Sequence, residues 1–328
     1  MALGDSSSPT RFLGGQTGVT NRELTLKVFG GEVLAAFDLA TVTLDKHEQK
    51  TISGGSSAQF PRTWKATSEY HVPGTELLGT DIDTAEVVIT VDDILVAHTA
   101  ISDLDEMLTH FEVRSKFADA MGHELAKVYD KNVFRQILLA ARDAGVGGDF
   151  PGGEVITDAA LTNTGTIDGS AWIDAIRAAN LELFDKDIPE HLPRYMAVNA
   201  RVFDALKYAK DVSGNYLVLN RDFGGDNAGG VRGRNESMEI DGVWIYKSRN
   251  IPSVDETAVT TVYSKYRANF ATTTGVLWTP MAVATVKLMD IAFENERDVR
   301  RLEDFMVAKM LVGHGVLRAE CAVEFKTA

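Results

Sequence analysis

Apolar and polar positions alternate over Thr84–Asp92: Val87, Ile89 and Val91 share one face, and Glu86, Val88 and Thr90 share the other. A period of two predicts a strand. A second run, Thr41–Thr51, is expected to be its hairpin partner. Between them lies a long stretch of Gly, Ser, Pro and scattered aromatics. Hairpins ordinarily close in roughly two to five residues. This one is expected to project an arm carrying Ile52, Phe60, Trp64, Tyr70, Val72, Leu77 and Leu78. An arm has no core of its own, so such side chains are expected to cover themselves on a neighbouring surface.

A period near 3.6 follows. Val113, Phe117, Met121, Leu125, Val128, Phe134, Ile137, Leu138 and Ala141 form one apolar stripe, which predicts a long helix over Val113–Ala144. Gly122 sits inside it at a cost of about 1 kcal/mol, which implies a close packing neighbour. Gly145-Val146-Gly147-Gly148 ends the helix. A short helix is expected over Asp103–Phe111, capped by Ser102, and another over Gly31–Leu39, with Gly30-Gly31 breaking the element before it.

The middle third alternates helix and strand. Helices are predicted at Asp168–Phe184 and Ala200–Lys210, and strands at Tyr195–Val198, Val243–Lys247 and Val259–Tyr263. Asp211–Asn235 is glycine-rich and reads as an exposed loop. This region reads as a compact α/β domain inserted into something else. From Met281 the pattern changes. Val283–Leu288 alternates, Arg297–Val312 mixes apolar and charged positions, and the last strands are expected to return under the long helix.

Composition narrows the function. The chain has 328 residues, 45% of them hydrophobic, so it can bury a sizeable core. Its single cysteine, Cys321, excludes an intramolecular disulfide. No apolar run reaches the roughly 18 residues of a membrane span, so no membrane partner is expected. Met1–Thr10 is polar and Ser-rich, unlike a signal or transit peptide. The net charge of −14 argues against general nucleic-acid binding, yet suits a wall that faces DNA without sticking to it.

The residues that could carry chemistry favour plain readings. Gly145–Gly153 lacks the Lys of a phosphate-binding loop and follows a helix instead of preceding one. The acidic set Asp81, Asp83, Glu86, Asp92 and Asp93 lacks the calcium-loop pattern, and reads as a solvated strand edge. No two of the seven histidines have metal-ligand spacing. Gly313-His314-Gly315 is expected to be a tight turn with a polar tip, and Cys321 a buried small hydrophobe. Arg221, Arg232 and Arg234 sit among glycines, either on a solvated loop or at a contact around a symmetry axis. No cofactor and no enzymatic activity are expected.

Five blocks carry a resemblance. They are Leu26-Lys27-Val28-Phe29-Gly30-Gly31-Glu32-Val33-Leu34 with Ala36-Phe37; Ile52-Ser53-Gly54-Gly55-Ser56-Ser57-Ala58-Gln59-Phe60-Pro61; Val113-Arg114-Ser115; Thr285-Val286-Lys287-Leu288; and Gly313-His314-Gly315-Val316-Leu317-Arg318. In this order they resemble the major capsid proteins of T7-like short-tailed phages. Residues 150–280 match less well and differ in loop lengths.

The resemblance implies an α+β, HK97-like phage capsid fold. Residues 1–40 would be the N-terminal arm, 41–95 the extended E-loop hairpin and 96–150 the P-domain with its spine helix. Residues 151–280 would be the inserted α/β A-domain, and 281–328 the returning P-domain strands. It also implies self-association through hexamers and pentamers, a scaffolding protein during assembly in the host cytoplasm, and a portal at one vertex. The resulting virion shell, of T=7 geometry by analogy, would enclose double-stranded DNA held by non-specific proximity, in a lattice without covalent crosslinks. Ile52, Phe60, Trp64, Tyr70, Arg221, Arg232 and Arg234 are the candidate intersubunit contacts. The alternatives are a small-molecule enzyme on the middle α/β domain, and a tail or connector component of a virion.

Overall fold

The computed structural model describes residues 21–63, 84–102, 113–147, 150–210 and 237–328, with single positions 68, 70, 71, 74, 76 and 79. The expected helix at 103–111, the loop at 211–235, and Trp64, Val72, Leu77 and Leu78 lie outside the described residues. So do Arg221, Arg232, Arg234, Asp81 and Asp83.

Two helices form the spine. Helix α1 (Asn21–Ala40) runs unbroken through Gly30-Gly31, where the glycine pair predicts a break. Helix α2 (Val113–Arg142) buries Met121, Leu125, Tyr129, Phe134, Ile137 and Leu138 along its stripe. The helices meet at Gly122, where a Cβ would lie 2.6 Å from the Val33 carbonyl oxygen and 2.8 Å from Ala36 Cβ. Packing against α2 offsets what the paired glycines of α1 cost in propensity. Asp130 of α2 ties down the turn after α1: its carboxylate accepts from Val42 N, Thr43 N and Thr43 Oγ1 at 3.0, 3.2 and 2.6 Å.

Among the described residues, one sheet has four strands in the order β1 (Glu48–Thr51), β12 (Val283–Asp298), β13 (Glu303–Val316) and β4 (Leu95–Ser102). The expected strand Thr41–Thr51 is only the four-residue β1, and it runs parallel to β12. The true hairpin pairs β2 (Ser57–Thr63) with β3 (Thr84–Thr90), Ala58 opposite Ile89 and Phe60 opposite Val87. Period-two patterning marks a strand without naming its partner.

Past α2, a two-stranded sheet pairs β5 (Gly145–Gly147) with β6 (Phe150–Pro151). The second large sheet follows the order β7 (Glu154–Thr157), β14 (Ala322–Lys326), β11 (Thr273–Trp278), β8 (Arg194–Val198), β10 (Val243–Lys247) and β9 (Ser237–Ile240). Helices α3 (Gly169–Asp185) and α4 (Ala200–Lys207) pack together beside it. Asp168 caps α3 by accepting from Ser170 N at 3.0 Å. The C-terminal strand thus closes the sheet of the middle region while also packing on α2. Val259–Tyr263, expected as a strand, is a run of turns.

Two ion pairs bind α2 to this half, one nearly buried and one partly buried. Arg135 reaches Glu256 with both Nε and Nη2, at 2.7 and 2.8 Å, and Arg142 reaches the fully buried Glu324 twice at 2.6 Å. Paired guanidinium–carboxylate forks carry charge and geometry together.

Candidate functional site

The arm's root is the feature that the sequence singled out, and it has a built seat. Ala58, Phe60 and Ile89 are buried against Ala284 and Val286 of β12 and against Leu317, with Ile52, Val87 and Val91 packed around them. The expectation that Phe60 lacks local cover is therefore corrected: it is 5% exposed within its own chain. The β2–β3 hairpin is a second layer against β12 and β13, which β3 contacts, and alternation turns Ala58, Phe60 and Ile89 into that layer. Ile52 belongs to the same cluster, with its backbone N donating to Lys287 O at 2.9 Å.

Polar contacts frame the seat. Lys50 Nζ donates to Gln59 O at 3.0 Å and lies 5.0 Å over the Phe60 ring. Arg62, opposite Ala85 on the inward face, pairs with Glu320 at 2.5 Å, both side chains nearly buried. Where β3 leaves the hairpin, Val91 N donates to Ser56 O and Asp92 N to Val312 O, at 2.9 and 3.1 Å. The Asp92 carboxylate accepts from Tyr266 Oη and pairs with Lys265. Burial pushes that carboxyl up from its ordinary value, against the pull of Lys265 and Tyr266.

Gly313-His314-Gly315 is not a turn. It lies inside β13, paired with Thr285–Ala284 and Val286 of β12. The glycines are there because β3 passes so close: a Cβ on Gly313 would collide with the Thr90 carbonyl, and one on Gly315 would lie 2.9 Å from Ile89 Cγ1. His314 is 1% exposed. Sequence reasoning missed this role because glycine more often marks a turn than a close approach.

Beyond Thr63 the described positions change character. Ser68, Tyr70, His71, Gly74, Glu76 and Gly79 are all exposed, Tyr70 completely at 103%. Other large apolar side chains stand in water elsewhere, notably Leu39 at the end of α1, Leu181 and Phe184 on α3, and Val299 and Leu302 between β12 and β13. Leu302 is held at a φ of 55°, in the left-handed region that costs most residues about 1 kcal/mol or more.

Among the described residues the remaining candidates hold no reactive arrangement. Among the described residues no three His, Cys, Asp or Glu side chains gather as metal ligands, and no helix is long and apolar enough to cross a membrane. Cys321 is buried, which pushes its thiol up to about 11 and keeps it an unreactive thiol at neutral pH.

The chain is 28% identical to the major capsid protein of Enterobacteria phage T3, over 94% of this chain and 92% of that one. It is 29% identical to the major capsid protein of Escherichia phage T7, over 91% and 90%. A chain in the capsid structure of the cyanophage P-SCSP1u superposes with a TM-score of 0.74 at 36% identity, covering 99% of both. The mature capsid of bacteriophage PhiM1 gives a TM-score of 0.70 at 20% identity, over 88% and 87%, which supports the HK97-like fold alone. The family model described as Gp10A-like major capsid protein matches residues 59–326, so the chain belongs to that family of phage major capsid proteins.

Proposed function

We propose that the subunit builds its shell by holding the arm's root rigidly and laying the distal arm, residues 64–83, on a neighbouring copy. The family makes the chain a structural protein of the virion and not an enzyme, and its task is self-association into a capsid. The observation that supports the division of labour is the contrast along the arm. Phe60 and Arg62 are buried in their own chain, whereas Tyr70, a few residues on, has no cover at all.

In this reading residues 1–40 serve as the N-terminal arm, 41–95 as the E-loop and 96–150 as the P-domain with α2 as its spine. Residues 151–280 form the axial A-domain, which borrows β14 from the returning P-domain segment 281–328. Subunits join as hexamers and pentamers around a scaffolding protein, with a portal at one vertex, in the host cytoplasm. T=7 geometry is part of the same proposal. Double-stranded DNA lies against a wall whose net charge of −14 keeps it from adhering. Growth of a closed lattice needs many weak, repeated contacts. A short arm tip that buries one or two aromatics on each neighbour, less the cost of ordering it, supplies contacts of that size. Ile52 and Phe60 support the neighbour contact by fixing the arm's root, while Trp64, Tyr70, Arg221, Arg232 and Arg234 are proposed to touch it.

The test is to co-express the Trp64→Ser, Tyr70→Ser double variant with a scaffolding protein and image the product. Loss of shells from a subunit that keeps its circular dichroism spectrum supports the proposal. Normal shells of normal thermal stability contradict it.

A further inference from the structure

We propose that the cleft at the carboxyl ends of β8 and β10 binds a phosphate-sized oxyanion, held by the Arg249 guanidinium and the side-chain donors of Asn163, Asn199, Ser248 and Ser253. These residues line one cleft of about 150 Å³. The inference is independent of where the distal arm lands.

The sheet's topology builds the cleft. β8 and β10 run parallel, with Val198 level with Lys247, and Ser248 N extends the ladder by donating to Val198 O at 2.9 Å. β11 runs antiparallel to β8 with Gly275 opposite Val198, so its first residues, Thr273 and Thr274, arrive at the same end. β14 and β7 also finish there, since β14 is antiparallel to β11 and β7 is parallel to β14. The chain leaves β8 through Asn199 into α4, leaves β10 through Ser248 and Arg249, and passes Asn163 on its way from β7 to α3. These connections converge outside the carboxyl ends of the strands, where α/β sheets commonly receive ligands.

The unused hydrogen-bonding groups say what the ligand is. Among the described residues the side chains of Asn163, Asn199, Arg249 and Ser253 have no hydrogen-bond or ion-pair partner. Asn199 holds the N-cap position of α4 and leaves the cap bond unmade, which frees its amide. Ser248, 7% exposed, accepts from Asn250 N at 3.1 Å and keeps its hydroxyl hydrogen to give. Thr273 and Thr274 also line the cleft, but their hydroxyls already donate, to Glu324 and to Phe325 O. The groups left over are N–H and O–H donors. No Asp, Glu or His lines the cleft, so a cation finds no charge to balance it. An anion finds a guanidinium and neutral donors together, and hydrogen bonds to an ionised acceptor are roughly twice as strong as neutral ones.

Size and charge narrow the ligand further. The cleft is smaller than the roughly 300–1,000 Å³ of ordinary small-molecule pockets, so it suits a tetrahedral oxyanion with a few waters and not a nucleoside. The net charge of −14 opposes anions at long range, so the attraction is local. Arg62, Arg135 and Arg142 are each committed to a carboxylate, whereas Arg249 is not. Because Arg249 is exposed, binding is weak and weakens further with salt. A bound oxyanion bridges the connections at this end of the sheet and stabilises them by mass action.

The test titrates the unassembled full-length chain with inorganic phosphate, replacing chloride at constant ionic strength, and reads hydrogen exchange on peptides covering 158–168, 199–204 and 248–254. Protection of these peptides should rise and saturate while β12 and β13 are unchanged. Phosphate also stabilises folded chains by exclusion from their surface, but that effect is spread over the molecule and does not saturate. Arg249→Gln, at an exposed position, should weaken the apparent affinity about tenfold or more. Arg300→Gln, which removes the same charge from the turn between β12 and β13, should leave the affinity within about twofold. Asn199→Asp keeps an N-cap residue of equal rank and puts a carboxylate into the cleft, so it should abolish binding without unfolding α4. Protection that fails to saturate, that rises equally across both large sheets, or that survives Arg249→Gln or Asn199→Asp undiminished overturns the proposal. So does an equal loss in Arg300→Gln. Because no shell is needed, failure of this site and failure of the assembly reading are told apart.

Discussion

Arg62 on the arm and Glu320 near the C-terminus meet at 2.5 Å with both side chains almost buried. The two residues are far apart in sequence, and their pairing welds the arm's root to the segment between β13 and β14. A buried pair is weak evidence of net stabilisation, because both charges have lost water. Breaking it is another matter, since the remaining charge keeps the cost and loses the partner.

Glu320→Gln should therefore destabilise the subunit by about 3–5 kcal/mol in denaturant unfolding, while the double change Arg62→Met, Glu320→Leu should cost far less. Additive losses in the double variant would show that the pair is not coupled.

Phe60→Ala should remove about 3–5 kcal/mol from the folded subunit, as core truncation of an aromatic does. Tyr70→Ser should stay within about 0.5 kcal/mol of the parent in the same assay. From sequence alone both residues are expected to face a partner. Equal and negligible losses would restore that view.

Gly122→Ala and Gly313→Ala each add one methyl group, and they should damage different parts. The first pushes on Val33 O and Ala36 Cβ and should cost roughly 1–3 kcal/mol through the α1–α2 contact. The second pushes on Thr90 O and should raise proteolytic cleavage within the arm while leaving α1 protected. Limited proteolysis with mass mapping distinguishes the two, and matching cleavage maps would contradict the assignment.

The unassembled subunit should lose stability on acidification. His47 is held at about 4 against an ordinary 6.5, so between those values the unfolded chain binds a proton that the folded chain refuses. This contribution is complete above about 6.5 and lost as pH falls toward 4, worth at most roughly 3 kcal/mol. His47→Gln should reduce the slope of unfolding free energy against pH in this window. A slope as steep as the parent's would place the effect elsewhere.

The lattice should be held without covalent crosslinks. Cys321 is buried, and Lys50 is engaged with Gln59 O and the Phe60 ring. Particles boiled in detergent should run as single subunits on a gel, and a ladder of multimers would contradict this.

Local patterns were readable wherever one face of an element is buried by its own period. The stripe of α2, the helix expected from Asp168, and the strands expected at Tyr195–Val198 and Val243–Lys247 all follow from spacing. Legibility ended where a distant partner decides. Glu48–Thr51 pairs with β12, Gly30-Gly31 stays helical against α2, and Gly313-His314-Gly315 is shaped by a strand more than two hundred residues earlier in the chain. The arm shows both sides. Its composition marked it as a projection, but the inward alternation of Ala58, Phe60 and Arg62 is meaningful only once β12 lies beneath it.

Electron microscopy of particles assembled from this chain with a scaffolding protein tests the central claim most directly. The account predicts closed shells in which residues 57–63 sit on their own subunit while density for residues 64–83 lies on a neighbouring copy. Monomers or small closed oligomers under conditions where the scaffold is active, or shells in which residues 64–83 fold back on their own subunit, would contradict it.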